Sequence, residues 1–296
     1  MSDALDAYVA AALDAPVAAH VRAIADRLAA PPDGPDVVAI LFYGSNLRTG
    51  STEGVLDFYV LTAGPPERGL WPRVGYHEFA IDGQTLRAKI ATMRLTTFAQ
   101  AAGGTLFDTT IWTRFVQPAA LVWAADTATR ATVVTAIAAA SVTAARFAAA
   151  LGPVRGTAAD YWRALFRQTY AAELRVEKPG REEQILIHGA GRYDALLPLA
   201  WDAAGIAFDR QGDDYVPALS DRAAIGAAWR RRRRLGKPLN LVRLIRAAWT
   251  FEGAGEYGAW KVERHTGIAV PMTPWRRRHP ILAAPAVFWQ VWRARR

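Results

Sequence analysis

Two short apolar runs, residues 37–42 and 55–62, constrain this chain more than any other feature. Runs of that length, rich in Val, Ile, Leu and aromatics and bounded by turn residues, read as strands. Between them stand Tyr43-Gly44-Ser45-Asn46 and a polar loop that extends to Gly54. A strand that ends on Gly-Ser and is followed by a strand carrying an acid, Asp57, suits a nucleoside triphosphate. Glycine has no Cβ to hold a ligand off. Backbone N–H groups and a serine hydroxyl can cradle phosphate oxygens. A carboxylate on a rigid strand can hold a magnesium ion that bridges to those oxygens. Side chains alternate along a strand, so Tyr59 stands on the face of Asp57, where a second acid would have shared the metal.

Residues 76–81 and 86–93 flank Asp82-Gly83, a hairpin turn signal, and add two strands. Alternation puts Glu78 on one face with Tyr76 and Ala80, and His77 with Phe79 on the other. Lys89 lies inside the apolar second arm, where a lysine is costly unless paired or functional. A lysine snorkelling from an edge strand is the plainer alternative. Helical spacing marks residues 4–29 as one or two amphipathic helices, ended by the proline-rich run 31–35. A short helix is expected over 95–100, mixed helix and strand signals over 110–123, and an alanine-rich helix over 127–151. Beyond that point no strand signal of comparable strength follows. Helices are expected over 158–176, 181–203 (with Gly189 and Gly191 as a break), 221–233 and 238–250. The division that results is 1–152, 153–250 and 251–296.

Composition narrows the classes. Of the 296 residues none is cysteine, which excludes a disulfide scaffold and thiolate metal sites. A chain 52% hydrophobic and 21% charged is not wholly disordered. The uncharged stretches 131–145 and 281–292 fall short of the roughly 20 residues of a spanning helix. No basic, then apolar, leader opens the chain, so a cytoplasmic location is expected. The formal charge of +9 is unevenly placed: residues 221–296 carry 17 basic and 4 acidic side chains, a net +13, and the remainder is slightly acidic. Arg230–Arg234 are five consecutive arginines. Arg243 and Arg246 follow beside Leu241, Leu244, Ile245 and Trp249, then Trp275 with Arg276-Arg277-Arg278, then Phe288, Trp289 and Trp292. Arginine clusters laced with tryptophan suit a lipid headgroup zone, and each basic residue near an anionic surface adds about 1 kcal/mol. The expected partner is therefore an anionic membrane surface, and nucleic acid is not expected. Docking of the final segment on a second subunit would give a homo-oligomer.

The Gly-Ser turn followed by an acid-bearing strand resembles the nucleotidyltransferase superfamily typified by DNA polymerase beta. Within it, Tyr43-Gly44-Ser45, Leu56-Asp57-Phe58, the Asp82-Gly83 turn leading to Lys89, and Thr113-Arg114-Phe115-Val116-Gln117-Pro118 are similar, in that order, to the mitochondrial-type phosphatidate cytidylyltransferases and their bacterial relatives. That family also commonly has a hydrophobic residue two beyond the aspartate, as Tyr59 is here. The likeness covers about residues 38–125.

The resemblance implies an α+β fold: a nucleotidyltransferase domain with a mixed sheet and flanking helices, a helical domain, and a basic amphipathic C-terminal segment. It implies magnesium-dependent conversion of CTP and phosphatidate to CDP-diacylglycerol and pyrophosphate, at the inner face of the cell membrane. Asp57 would hold the metal, and Gly44 and Ser45 the β and γ phosphates. Lys89 would neutralise charge on the triphosphate or the incoming phosphate. Glu78 is the candidate for a second metal acid or for orienting the nucleophile. Arg114 would reach the lipid phosphate or pair with a core carboxylate. Tyr43 belongs to the turn, and Asn46 and Arg48 are candidates for contacting the base. An RNA or small-molecule nucleotidyltransferase, or a non-catalytic nucleotide-binding membrane protein, are the alternatives.

Overall fold

The computed structural model describes residues 3–30, 36–172, 181–250 and 253–294. Helices α1 (Asp3–Leu13) and α2 (Ala19–Ala29) lead into β1 (Val37–Tyr43), a single-turn α3 (Ser45–Thr49), β2 (Val55–Thr62), and the hairpin β3 (Arg73–Ile81) and β4 (Gln84–Arg94). Then come α4 (Leu95–Ala102), α5 (Thr110–Phe115), β5 (Ala119–Ala124) and α6 (Thr127–Leu151). The five strands form one mixed sheet in the order β3-β4-β2-β1-β5, in which β2 and β4 run parallel and the other pairs antiparallel. The hairpin turns on Asp82, at φ 49°, and Gly83, at φ 76°, the left-handed pair that a tight two-residue turn needs.

Alternation gives the sheet two faces. Ile40, Phe42, Leu56, Phe58, Val60 and Ile90 pack against Val21 and Ile24 of α2. Leu41, Tyr59, Leu61 and Met93 point the other way, into a larger core with Phe98, Trp112 and the buried side of α6. Helix α6 is long and apolar enough to cross a membrane by composition, yet 72% of its apolar window is buried inside the fold. Alanine spacing lets α4, α5 and three helices from later in the chain approach it closely.

A helical region follows: α7 (Ala158–Ala172), α8 (Arg181–His188), α9 (Ala190–Ala203) and α10 (Arg222–Thr250). The break expected near Gly189 falls there. Two features differ from the sequence reading. A small sheet of β6 (Gly156–Thr157), β7 (Ala207–Gln211) and β8 (Asp214–Ala218) lies in this region. Helix α10 also runs unbroken through Pro238, where two helices, 221–233 and 238–250, were expected. Gly236 permits that continuous helix to cross α7, since a Cβ there would sit 2.8 Å from the Ala172 carbonyl oxygen. Three helices end the described chain: α11 (Ala254–Thr266), α12 (Pro274–Arg278) and α13 (Pro280–Ala294). The expected linker 31–35 and the chain end 295–296 lie outside the described residues, as do the side chains of Leu244, Ile245, Arg246, Trp249, Phe288 and Trp292. The architecture is α+β: a mixed sheet flanked by helices, then a helical region and short C-terminal helices.

Candidate functional site

Strand pairing puts four of the chain's polar side chains in one row. Tyr43 on β1 stands opposite Asp57 on β2, Asp57 beside Lys89 on β4, and Lys89 opposite Tyr76 on β3. Paired residues project to the same face, so the row crosses four strands at the edge of the large core. At Tyr43 the chain leaves the sheet through Gly44, whose φ of 94° no ordinary side chain adopts. A Cβ at Gly44 would lie 2.9 Å from Asp57 Oδ2, so this glycine both makes the turn and leaves room for the carboxylate. The cleft beside it encloses about 160 Å³ and is lined by Gly44, Ser45, Arg48, Asp57, Arg114 and Tyr170, among others.

Charge in the cleft is lopsided. Burial pushes the Asp57 carboxyl above its ordinary value, against the opposing pull of Lys89, Arg114 and Arg48. Burial lowers Lys89; Asp57 opposes that shift, and Arg114 and Lys261 add to it. One carboxylate therefore faces several cations. Arg114 is held from below: its Nη1 donates to the Tyr59 hydroxyl at 3.2 Å, and its guanidinium lies 5.4 Å from the Tyr43 ring centroid. Tyr59 is buried between Phe98 and Phe115, and burial pushes its hydroxyl up, so it stays a neutral phenol.

The other sequence candidates divide. Ser45 is exposed at the cleft and Arg48 lines it. Asn46 is buried and turned away: its Nδ2 donates to the Ser51 and Glu53 carbonyls at 2.8 and 2.9 Å, and so it shapes the loop. Glu78 is exposed two residues along β3 from the row. It accepts from the Tyr76 hydroxyl at 2.9 Å and lies 3.4 Å from Arg87 Nε. The sequence reading did not foresee the far wall of the cleft, Tyr170 of α7 and Ile185 of α8. Helix α11 was also unforeseen as a neighbour of the row: its Tyr257 ring lies 5.4 Å from that of Tyr76.

The residues present fit one magnesium ion bound through a single protein carboxylate. Burial raises the Asp57 carboxyl while Lys89, Arg114 and Arg48 pull it down, so its ionised form gains from a nearby cation. Magnesium is commonly held by one or two carboxylates plus substrate phosphates and water. Among the described residues no group of three or more His, Asp or Glu side chains gathers that could enclose a metal by itself. No family model matches the chain, and no curated protein matches it.

Proposed function

We propose that the chain is a magnesium-dependent nucleotidyltransferase that transfers CMP from CTP to phosphatidate, giving CDP-diacylglycerol and pyrophosphate. The observation that carries this reading is one half-buried carboxylate, Asp57, pressed against a glycine-serine turn and surrounded by Arg48, Lys89 and Arg114. Such a set suits a polyphosphate, whose charge exceeds what one metal ion neutralises. Magnesium, when bound at Asp57, supplies electrophilic activation and charge neutralisation for the triphosphate. Gly44 and Ser45 receive its β and γ phosphates, and Arg48 and Arg114 flank them. A phosphate oxygen of the lipid attacks the α-phosphorus. The bond to the bridging oxygen breaks, and pyrophosphate leaves. Lys89 offsets charge that builds at the reacting phosphorus.

The choice of a lipid acceptor rests on the C-terminal quarter. Trp275, Leu282 and Trp289 are 54, 62 and 58% exposed, and Arg230, Arg231, Arg233 and Arg234 are exposed along α10. Apolar and cationic surface together suit an anionic bilayer, and with it a peripheral place on the inner face of the cell membrane. The test is pyrophosphate release with CTP, magnesium and phosphatidate in mixed micelles, beside ATP, GTP and UTP. Release that needs both CTP and phosphatidate, with the cytidylylated lipid identified by mass, is the expected result. Release with CTP and RNA or a small alcohol, but not with phosphatidate, would move the acceptor to another class.

A further inference from the structure

Helix α11 lies on the sheet at the opposite end of the row from the glycine-serine turn. Gly253, just before it, comes so close to the Tyr76 carbonyl that no larger residue would fit. Tyr257 packs on Tyr76. Trp260 lies between two guanidinium groups, with Arg87 5.6 Å and Arg264 5.2 Å from its ring centroid. Arg264 Nη1 extends to the loop between β1 and β2, where a Cβ on Gly54 would be 3.0 Å away. Lys261, one residue on from Trp260, lies within electrostatic reach of Lys89. Glu78 is held by Arg87 and Tyr76, Glu256 pairs with Arg277 at 3.0 Å, and Glu263 and Glu53, the latter next to Gly54, are exposed. The fold therefore brings cations to both ends of the row, Arg48 and Arg114 at one and Lys261 and Arg264 at the other.

We propose that α11 completes a second phosphate subsite, in which Lys261 and Arg264, with Lys89, bind the phosphate monoester of the acceptor. The inference rests on the nucleotidyl-transfer reading and gives that site its second half. In-line displacement puts the attacking and leaving oxygens on opposite sides of the phosphorus. With the leaving phosphates at Gly44 and Ser45, the attacker arrives from the β3 side, where α11 stands. Helices α12 and α13 pack on α11 and carry the exposed Trp275, Leu282 and Trp289, so a lipid drawn from a bilayer reaches this end of the row first.

The experiment uses the full chain and dioctanoyl phosphatidate kept monomeric, so that vesicle affinity plays no part. Lys261→Gln with Arg264→Gln is expected to raise the KM for phosphatidate about tenfold or more. The KM for CTP should stay within about twofold, and Lys261→Arg should retain most of the wild-type value. A second readout needs no turnover: calorimetric binding of glycerol 3-phosphate to protein loaded with a non-hydrolysable CTP analogue, expected to be lost in the double variant. Greater loss with phosphatidate assigns a lipid acceptor, and equal loss a soluble phosphomonoester; both support the subsite. If turnover is present and neither phosphatidate KM nor glycerol 3-phosphate binding moves, the subsite is overturned and the reaction stands. If no nucleotide supports turnover but glycerol 3-phosphate binding is lost in the variant, the subsite stands and the reaction is wrong.

Discussion

Asp57 and Tyr59 are two residues apart on β2 and share a face of the sheet, yet they occupy opposite environments. Asp57 opens on a cleft, against a glycine and among cations. Tyr59 is 1% exposed, with the Tyr43, Phe98 and Phe115 rings 5.5, 6.3 and 5.2 Å away. A second metal-binding acid on this face would have to stand at position 59. Here an acid would be buried among aromatic rings, where an ionised carboxylate is costly. The boundary between wet and dry falls between these two residues, and Arg114 spans it, bonded to the Tyr59 hydroxyl while acting on Asp57. The proposed reaction asks one carboxylate to hold the metal while cations take up the remaining charge, and this boundary shows how one of them, Arg114, is held.

The sharpest way to break the comparison is Asp57→Asn. Activity should fall on the order of 10³-fold if, as proposed, Asp57 holds the magnesium ion. Stability should move the other way. The folded-state pKa of Asp57 lies above the ordinary value of 3.8. Its charge therefore costs the fold nothing below that value; the cost grows as pH rises and is complete above the folded pKa. Asp57→Asn should raise the Tm at neutral pH and lose the gain near pH 3, as followed by thermal melts across pH. A Tm lowered at neutral pH would mean that the carboxylate is structural, and the contrast with Tyr59 would fail.

Gly44→Ala tests the contact between turn and acid. The left-handed φ costs about 1–3 kcal/mol for a residue with a side chain. The new methyl would also meet Asp57 Oδ2 at 2.9 Å. Gly50 is the control, because its φ of 68° is also left-handed but a Cβ there would have nothing within 4 Å. Gly44→Ala should lose more stability than Gly50→Ala in denaturant titrations, because its φ of 94° with ψ of −162° is reached almost only by glycine, whereas Gly50 is simply left-handed. Only Gly44→Ala should lose activity, by roughly 10²-fold, since displacing a reacting group by about an ångström costs that much.

The turn and Asp57 were legible because their signal is local. In β2, Leu56, Phe58 and Val60 alternate with Asp57, Tyr59 and Leu61, so the pattern itself assigns the faces. The small sheet was not legible. Gly156-Thr157 is too short to show a period, and Ala207–Gln211 is largely polar and exposed. Two helices, 221–233 and 238–250, were expected where one runs through, since Pro238 falls inside α10 on an exposed position. The approach of α11 could not be read from spacing, because Trp260 meets Arg87 from 173 positions away. What marked that segment in the sequence was only an excess of arginine and tryptophan, which a membrane-facing surface and a cation-lined cleft would share.

Tyr59→Phe makes the smallest change and bears most directly on the boundary. It leaves the ring cluster in place and removes only the hydroxyl that accepts from Arg114. Losing one such bond should cost about 1 kcal/mol in a denaturant titration. If Tyr59 positions a cation and takes no part in holding the metal, the KM for CTP should rise a few-fold while the magnesium concentration giving half-maximal rate stays put. A shift in magnesium dependence as large as that in the CTP KM would put the phenol within the metal's coordination and erase the division between the two residues. The distinction is measurable because, in the proposed reaction, the two quantities respond to different partners: the guanidinium would act on the nucleotide as a whole, whereas the carboxylate two residues earlier would act through a bound ion.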